Sequence, residues 1–521
     1  MLAPEQVAVD LVDRAKRAGA TAADVVLREG DEFSTTLRAG KIESLKEAAT
    51  KGLGLRILLG IRSASSYSSD FSEQSLARLV ERTMAMAKVT SEDPASGLPE
   101  PGQLGRYPGD LDLFSSDVES LSTEERIQLA RRAEEAALGA DPRIRNSEGA
   151  SFEASQGTSA YANSLGFAGS YRSSYCALAV SPIAQQDGSM QRDYWYTVAR
   201  RAAALETPEA VGRKAAQRAL RKLGARKVST CQVPVIFDPE TARSLVGHVF
   251  EAVRGDAIYR SASFLTGKLH QKIARENVTI VDDGLRRGGF GSRPFDGEGI
   301  PSSITQVIEK GILQNYLLNC YTARKLGLQT TGNASRGMAG PPGVGPQNLY
   351  MPPGPYSPEE ILRSVENGFY VTELIGFGVN AVTGDYSRGA AGMWIEKGEL
   401  AYPVEEVTIA GNLAEMLNHI EMVGSDLEFR SALASPTLLV SGLTVAGTRV
   451  EHSRSKRVES QRVEEEDFTS AGAAKGGLPS LSFRFRSRAR EISLWFLTRK
   501  SNNSAARLLD CLTSRLVHTL R

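Results

Sequence analysis

The chain is poor in the residues that mark a metal or disulfide protein. Of its 521 residues four are cysteine and five histidine, and Cys176, Cys231, Cys320 and Cys511 lie too far apart to make a C-x-x-C pair. That spacing excludes a zinc ribbon and a small disulfide scaffold and points to a reduced, cytoplasmic setting. No run of about 18 apolar residues occurs, so no spanning helix is expected. The amino terminus carries Glu5 and Asp10 in an amphipathic pattern, where a secretory leader has a basic stretch before an apolar one. Excess charge is missing too: at +1 the chain has no general pull on nucleic acid or anionic lipid, which takes a basic surface that displaces counterions.

What remains is the composition of a soluble globular protein, 41% hydrophobic and 24% charged, in a length that calls for two or three domains. Residues 4–19 have a helical apolar period, and 24–27, 33–37, 41–45 and 53–59 read as short strands joined by hairpins. Ser72 starts a second helix, followed by a Pro-, Gly- and Ser-rich loop over 91–108. Ser122 and Glu125 have capping-box spacing, with Gly139 placed to end that helix. An antiparallel meander is expected over 151–198, then a basic helix from Thr207-Pro208 to near Gly224.

Gln232–Phe237 reads as a strand, and Asp238-Pro239 opens a helix with Ala242, Leu245, Val246, Val249 and Val253 as its buried stripe. Ile-Glu-Lys-Gly occurs at 308–311 and again at 395–398, best explained as two similar hairpin turns. Residues 337–355 suggest a long irregular loop, and Ser357-Pro358 a helix closed by Gly368. The fold class is therefore α+β. Residues 1–227 form an N-terminal domain of antiparallel sheet and helices, and 228–450 a mostly antiparallel, barrel- or sandwich-like β domain. The segment 451–521, with 14 Lys/Arg against 8 Asp/Glu, reads as a disordered or weakly helical tail.

Chemistry is scarce by the same measure. A zinc site needs ligands gathered on one face, as H-E-x-x-H does on a helix; His248 and Glu251 lack a second imidazole, and His419 with Glu421 lacks the cysteine pair of a deaminase. The segments 384–389 and 332–337, around Ser387 and Ser335, are one residue too long for a G-x-S-x-G nucleophile elbow and have no evident base. Gly267-Lys268 is followed by Leu269, so no phosphate loop forms there. The most informative stretch is Thr372–Leu413, two alternating patterns around the polar turn Thr383-Gly384-Asp385-Tyr386-Ser387-Arg388-Gly389. Thr383, Gly384, Asp385, Tyr386, Ser387, Arg388 and Asn412 are the candidate cleft or interface residues, either holding an extended peptide or, for Asp385 and Arg388, pairing across the turn.

Four motifs then carry a resemblance. Gly376 to Gly392, Thr408-Ile409-Ala410-Gly411-Asn412-Leu413, Tyr321 to Leu328 and Pro294-Phe295-Asp296-x-Glu298-Gly299 closely resemble the TldD/PmbA family, once described as modulators of DNA gyrase, and within it the PmbA (TldE) branch. The resemblance covers roughly residues 5–448. It implies one subunit of a two-subunit cytoplasmic metallopeptidase that acts on unfolded peptides such as antitoxins and peptide-antibiotic leaders. The TldD subunit of that family carries a helical H-E-x-x-x-H motif and a later cysteine as zinc ligands. On this sequence the histidine positions fall near Val246 and Glu251, the glutamate at Gly247 and the cysteine near Val423. The resemblance thus implies no metal and no catalytic residue in this chain and zinc in a TldD-like partner, and the charge and the lack of a long apolar run leave no nucleic-acid or membrane partner expected. The alternative reading is a non-enzymatic, peptide-binding or regulatory homodimer linked to DNA gyrase.

Overall fold

A computed structural model describes residues 3–447; the segment 451–521, expected to be a tail, lies outside the described residues. Helix α1 (Pro4–Arg17) has proline in its first turn, where no N–H bond is lost, and buries Leu11, Val12 and Ala15. Next, β1 (Ala22–Arg38) and β2 (Lys41–Leu59) form one long hairpin. Its turn is Ala39-Gly40, with φ of 49° and 73°, the left-handed pair that a two-residue hairpin requires. The four short strands expected here are thus two long ones. The polar run 44–52 stays in strand because β1 pairs with it residue by residue.

The sheet continues through β3 (Arg62–Ser68), then β4 (Ile144–Asn163), β5 (Ala168–Gln186), β6 (Ser189–Arg192) and β7 (Trp195–Ala199). Its order is β3-β2-β1-β4-β5-β6, with β7 also on β5. The intervening helices are α2 (Glu73–Val89), α3 (Ser116–Ser120) and α4 (Thr123–Leu138), and α5 (Pro208–Leu220) follows. Ser72 caps α2, Thr207 caps α5, and Ser122 with Glu125 makes the expected capping box, with Gly139 at the other end of α4.

These helices cover one face of the sheet in two patches. Under α1 and α2 lie Val25, Leu27, Leu55 and Ile57; under α4 and α5 lie Phe33, Leu37, Phe152 and Leu178. Each such side chain, fully buried, contributes about 1.5–3 kcal/mol. Between the patches Gly30 and Gly157 face each other across β1 and β4. A Cβ on Gly30 would stand 2.2 Å from the Gln156 carbonyl, so only glycine permits that approach.

On the opposite face Glu153 lies diagonal to Glu32, since Ser34 pairs with Glu153 and Glu32 with Ser155. Burial, with the Glu32 charge adding repulsion, pushes Glu153 up to about 7. A carboxyl raised in the fold contributes stability that is complete below its unfolded value, about 4.3, and is lost as pH rises through 7. Glu153→Gln is therefore expected to match the wild type at about pH 4 and exceed it by on the order of 1 kcal/mol at pH 8. Urea titrations at the two pH values check this; an equal offset at both would contradict it.

The C-terminal half starts with β8 (Cys231–Phe237) and α6 (Pro239–Val253), capped by Asp238, whose carboxylate accepts from Thr241 N at 2.9 Å. The expected stripe is buried along its whole length. After α7 (Gly255–Tyr259) come β9 (Ile280–Asp283), β10 (Ile304–Glu309), β11 (Ile312–Leu313), α8 (Cys320–Leu326), β12 (Ala334–Ser335), β13 (Gly343–Val344) and β14 (Leu349–Tyr350). The last part holds α9 (Pro358–Arg363), β15 (Asn367–Ile375), β16 (Asp385–Glu396), β17 (Glu399–Asn412), α10 (Leu413–Asn418), β18 (Ile420–Val423), β19 (Leu433–Ala434) and β20 (Leu438–Ala446).

Strands β17-β16-β15-β8-β20 close into a five-stranded barrel through the β17–β20 pairing, antiparallel throughout except β8–β15. Phe237, Phe369, Tyr386 and Val407 belong to its core together with Leu245 and Val246 of α6. Both Ile-Glu-Lys-Gly segments are two-residue turns, with Lys310-Gly311 and Lys397-Gly398 at positive φ. The helix at Ser357 ends at Ser364 instead of Gly368, which sits inside β15, where a Cβ would approach the Pro234 carbonyl at 2.7 Å.

The halves interlock through charge. Asp24 of β1, fully buried, accepts from Arg56 Nε at 3.0 Å and Nη2 at 2.5 Å, and from Arg336 on the far side of the chain. Arg28 Nη2 donates to the Arg336 carbonyl at 2.7 Å. Met338 lies over Gly52 and Gly54 of β2, close enough that a side chain at either would collide with it.

Candidate functional site

The loop between β15 and β16 is organised by its own polar groups. Asn380 N donates to the Asp385 carbonyl at 2.9 Å and Gly384 N to the Asn380 carbonyl at 2.8 Å, which tightens residues 380–385 into a turn. Thr383 Oγ1 donates to Asp385 Oδ2 at 2.6 Å. Asn412, at the end of β17, donates through Nδ2 to the Thr383 carbonyl at 3.0 Å and accepts at Oδ1 from Ala414 N at 3.0 Å, capping α10. The Leu413 N–H closes the clamp on the Gly384 carbonyl at 2.7 Å. Thr383, Gly384, Asp385 and Asn412 are therefore brought together, and much of their hydrogen-bonding capacity holds the turn itself.

Tyr386, Ser387 and Arg388 lie elsewhere than the sequence suggests. They are in β16, not in the turn, since β17 pairs with them opposite Gly411, Ala410 and Ile409. Alternation then separates them. Tyr386 points into the core, where burial pushes its hydroxyl up to about 12, partly countered by the Arg388 guanidinium, and its ring meets His248 of α6 edge-on at 5.9 Å. Ser387 is exposed, and its N–H donates to the Gly378 carbonyl at 2.6 Å. The pairing of Asp385 with Arg388 does not form: Arg388 Nε donates to the Gly376 carbonyl at 3.0 Å.

Sequence reasoning missed the tip of this loop. Phe377 is fully exposed, with Ile375 and Val382 more than half exposed beside it. An aromatic between two glycines, Gly376-Phe377-Gly378, was the available signal.

Helix α6 runs behind this loop, and the positions matching the family's zinc ligands are on it. Val246 is buried in the core, Gly247 has no side chain, and Glu251 pairs with Arg254 at 3.0 Å; Val423, the cysteine position, is buried at the end of β18. Two valines, a glycine and a carboxylate already paired with arginine are not a donor set for zinc, which takes imidazole, thiolate or several carboxylates. Among the described residues no three His, Cys, Asp or Glu side chains are grouped to hold a metal ion.

The other motifs hold the halves together. Asp296 accepts from the N–H groups of Glu298 at 2.8 Å, Ile300 at 3.0 Å and Ala334 at 2.9 Å, and burial followed by the Glu298 charge raises its pKa. Glu298 accepts from Cys320 N at 2.9 Å, at the start of α8. From α8 the Tyr321 hydroxyl and the Lys325 ammonium both reach Asp93, at 2.8 and 2.9 Å, and Arg324 donates to the Ala95 carbonyl at 3.1 Å. Those partners belong to the loop after α2, so Tyr321–Leu328 clasps the N-terminal half.

Three family models match the chain: PmbA/TldA metallopeptidase domain 1 over residues 23–87, the central domain over 116–223 and the C-terminal domain over 230–447. Metalloprotease PmbA of Escherichia coli O157:H7 is 40% identical over 424 residues, 81% of this chain and 92% of that protein. The Metalloprotease PmbA homolog of Haemophilus influenzae is 35% identical over 84% of this chain and 94% of its own length. A crystal structure from Bacteroides thetaiotaomicron, described as a modulator of DNA gyrase, superposes with a TM-score of 0.79 at 29% identity, covering 85% of this chain and 99% of that one. TldE of Thermococcus kodakarensis, at 20% identity, shares the fold with a TM-score of 0.76 over 85% of this chain and all of that one. No helix of the described residues is long and apolar enough to cross a membrane. With three models spanning most of its length and a relative at this identity, the chain belongs to the PmbA/TldD metallopeptidase family.

Proposed function

We propose that this chain is the metal-free, PmbA/TldE-like subunit of a cytoplasmic metallopeptidase. In this reading it assembles with a TldD-like zinc-binding subunit, and together they degrade or process unfolded peptides, antitoxins and peptide-antibiotic leaders among them. The observation that carries the proposal is α6. The helix packs Leu245 and Val246 into the barrel core, and by the sequence resemblance Val246, Gly247 and Glu251, which is paired with Arg254, are the positions matched to the imidazoles and the base of H-E-x-x-x-H. Without imidazole or thiolate a zinc ion would have no inner shell, and no water would be activated. The exposed apolar tip at Phe377 and the rigid turn at Thr383, Gly384, Asp385 and Asn412 are then surfaces for the companion subunit or its peptide.

The test is elemental analysis of the purified chain with a peptidase assay on an unfolded peptide, alone and with a TldD-like subunit. The expected result is less than about 0.1 zinc per chain, no hydrolysis alone, and hydrolysis by the pair. Stoichiometric zinc with activity in the isolated chain would sink the proposal.

A further inference from the structure

Strand β2 has a neighbour on one side only for more than half its length. It pairs with β1 throughout, but β3 covers only Leu53–Leu59, so among the described residues Lys41–Gly52 have no strand on their outer side. Their side chains are exposed, apart from the half-buried Ala48 and the buried Gly52. Backbone N–H and C=O groups along such an edge are a template for another extended chain.

Beside this edge is a groove of about 460 Å³ on the helix-bearing face, in the gap between the two covered patches. Ala49 and Gln156 belong to its floor, and Asp31 and Glu47 give it two carboxylates against Arg126, while Glu32 alternates to the other face of the sheet. Arg126 is already engaged, stacked over Phe33 at 4.7 Å and donating to the Val118 carbonyl at 3.0 Å. Glu32 pairs with Lys46 at 3.7 Å, and Glu47 accepts from the Thr123 hydroxyl at 2.5 Å, which leaves Asp31 without an ion pair among the described residues. Gln156 Oε1 is shielded from water with no hydrogen-bond donor against it. Because Asp31 pairs with Ala49, the small side chain at 49 leaves a path across β2 from the open edge to the Asp31 carboxylate.

We propose that this edge and groove take an extended peptide carrying a lysine or arginine. The peptide adds as a strand beside Lys41–Gly52 through main-chain hydrogen bonds, which are indifferent to sequence, and the basic side chain crosses Ala49 to Asp31 and Glu47, which sets preference. The inference rests on the peptide-handling reading above and adds the place and charge class of the substrate.

The test uses the full chain without a partner subunit and two fluorescein-labelled, unstructured 12-residue peptides of Gly, Ser, Thr and Val, one with a central Arg-Gly-Arg and one with Glu-Gly-Glu. Fluorescence anisotropy is expected to show the arginine peptide binding at least tenfold tighter, with slowed hydrogen exchange confined to the amides of 41–52. Asp31→Lys, at an exposed position, should abolish the preference, whereas Glu81→Lys, the same charge change at an exposed position of α2, should leave it within twofold. Equal affinity for the two peptides, protection elsewhere in the chain, or β2 amides already protected in a peptide-free dimer would overturn the proposal. Failure of a TldD-like subunit to give activity would leave these binding results standing. An active pair whose β2 amides stay unprotected by peptide would remove the edge site and leave the subunit reading intact.

Discussion

Asp24→Asn should cost the protein about 3–5 kcal/mol, because it leaves two buried guanidinium groups without their counter-charge. Asp24 is fully buried on β1 and serves Arg56 of β2 and Arg336 of the C-terminal half at once, with the Tyr161 hydroxyl at 3.4 Å. Burial alone would raise the pKa of this carboxyl, but Arg336 and then Arg56 outweigh it and hold the group below its ordinary value. A depressed carboxylate contributes stability above its unfolded pKa, about 3.9, and loses it as pH falls through the folded one. The gap between wild type and variant should therefore be full at pH 7 and narrow below about pH 4. Arg336→Met gives the comparison. It leaves Asp24 paired with Arg56 and should cost less, while loosening the contact between halves at Arg28 and the Arg336 carbonyl. Urea unfolding at pH 7 measures both, and a loss under 1 kcal/mol for Asp24→Asn would mean that water reaches the site.

Neither Asp24 nor Arg336 stands out in the sequence, and the reason is general for this chain. Caps and turns that depend on a few adjacent residues were legible: Ser72, Ser122 with Glu125, Thr207-Pro208, Asp238-Pro239 and both Lys-Gly turns take the places their local chemistry requires. Features that depend on distant pairing were not. The stretch 44–52 is polar and glycine-bearing, yet β1 keeps it in strand, and Gly368 is a strand residue because the Pro234 carbonyl comes close to it. The barrel closes between β17 and β20, with Ala410 opposite Thr444, and no local pattern announces that. The candidate site divides in the same way. Thr383 and Gly384 lie in the turn before β16, but pairing with β17 makes Asp385 the first residue of that strand and draws Tyr386, Ser387 and Arg388 into it, where Tyr386 becomes core and Arg388 a brace for Gly376. The family positions on α6 could be found from motif similarity, since the helix is set by its cap and apolar stripe, both of them local.

Gly378→Ala is the substitution at the candidate site expected to do most damage. The Gly378 carbonyl accepts from Ser387 N at 2.6 Å, and Val379 bridges to Tyr386, so the loop lies on β16 like a short extra strand. A Cβ at 378 would stand 1.8 Å from the Ser387 carbonyl oxygen, which is backbone and cannot rotate aside. The two segments must separate by well over 1 Å, breaking the hydrogen bond and carrying Phe377 away from its place. Overpacking of this kind costs about 1–3 kcal/mol, but the larger effect falls on function, since a displacement of about 1 Å in a positioning element can lower a rate roughly a hundredfold. Gly376→Ala separates the loop's position from its flexibility. A Cβ there meets nothing within 4 Å, but φ is +80°, so the cost is backbone strain of about 1 kcal/mol without a collision. If the loop is a contact surface for the TldD-like subunit or its peptide, the reconstituted pair should lose at least tenfold more activity with Gly378→Ala than with Gly376→Ala, while both variants stay folded by thermal melting. Equal activity in the two pairs would show that residues 375–383 touch neither the companion nor its substrate, and would leave the turn at Thr383 and Asp385 as scaffolding for α10.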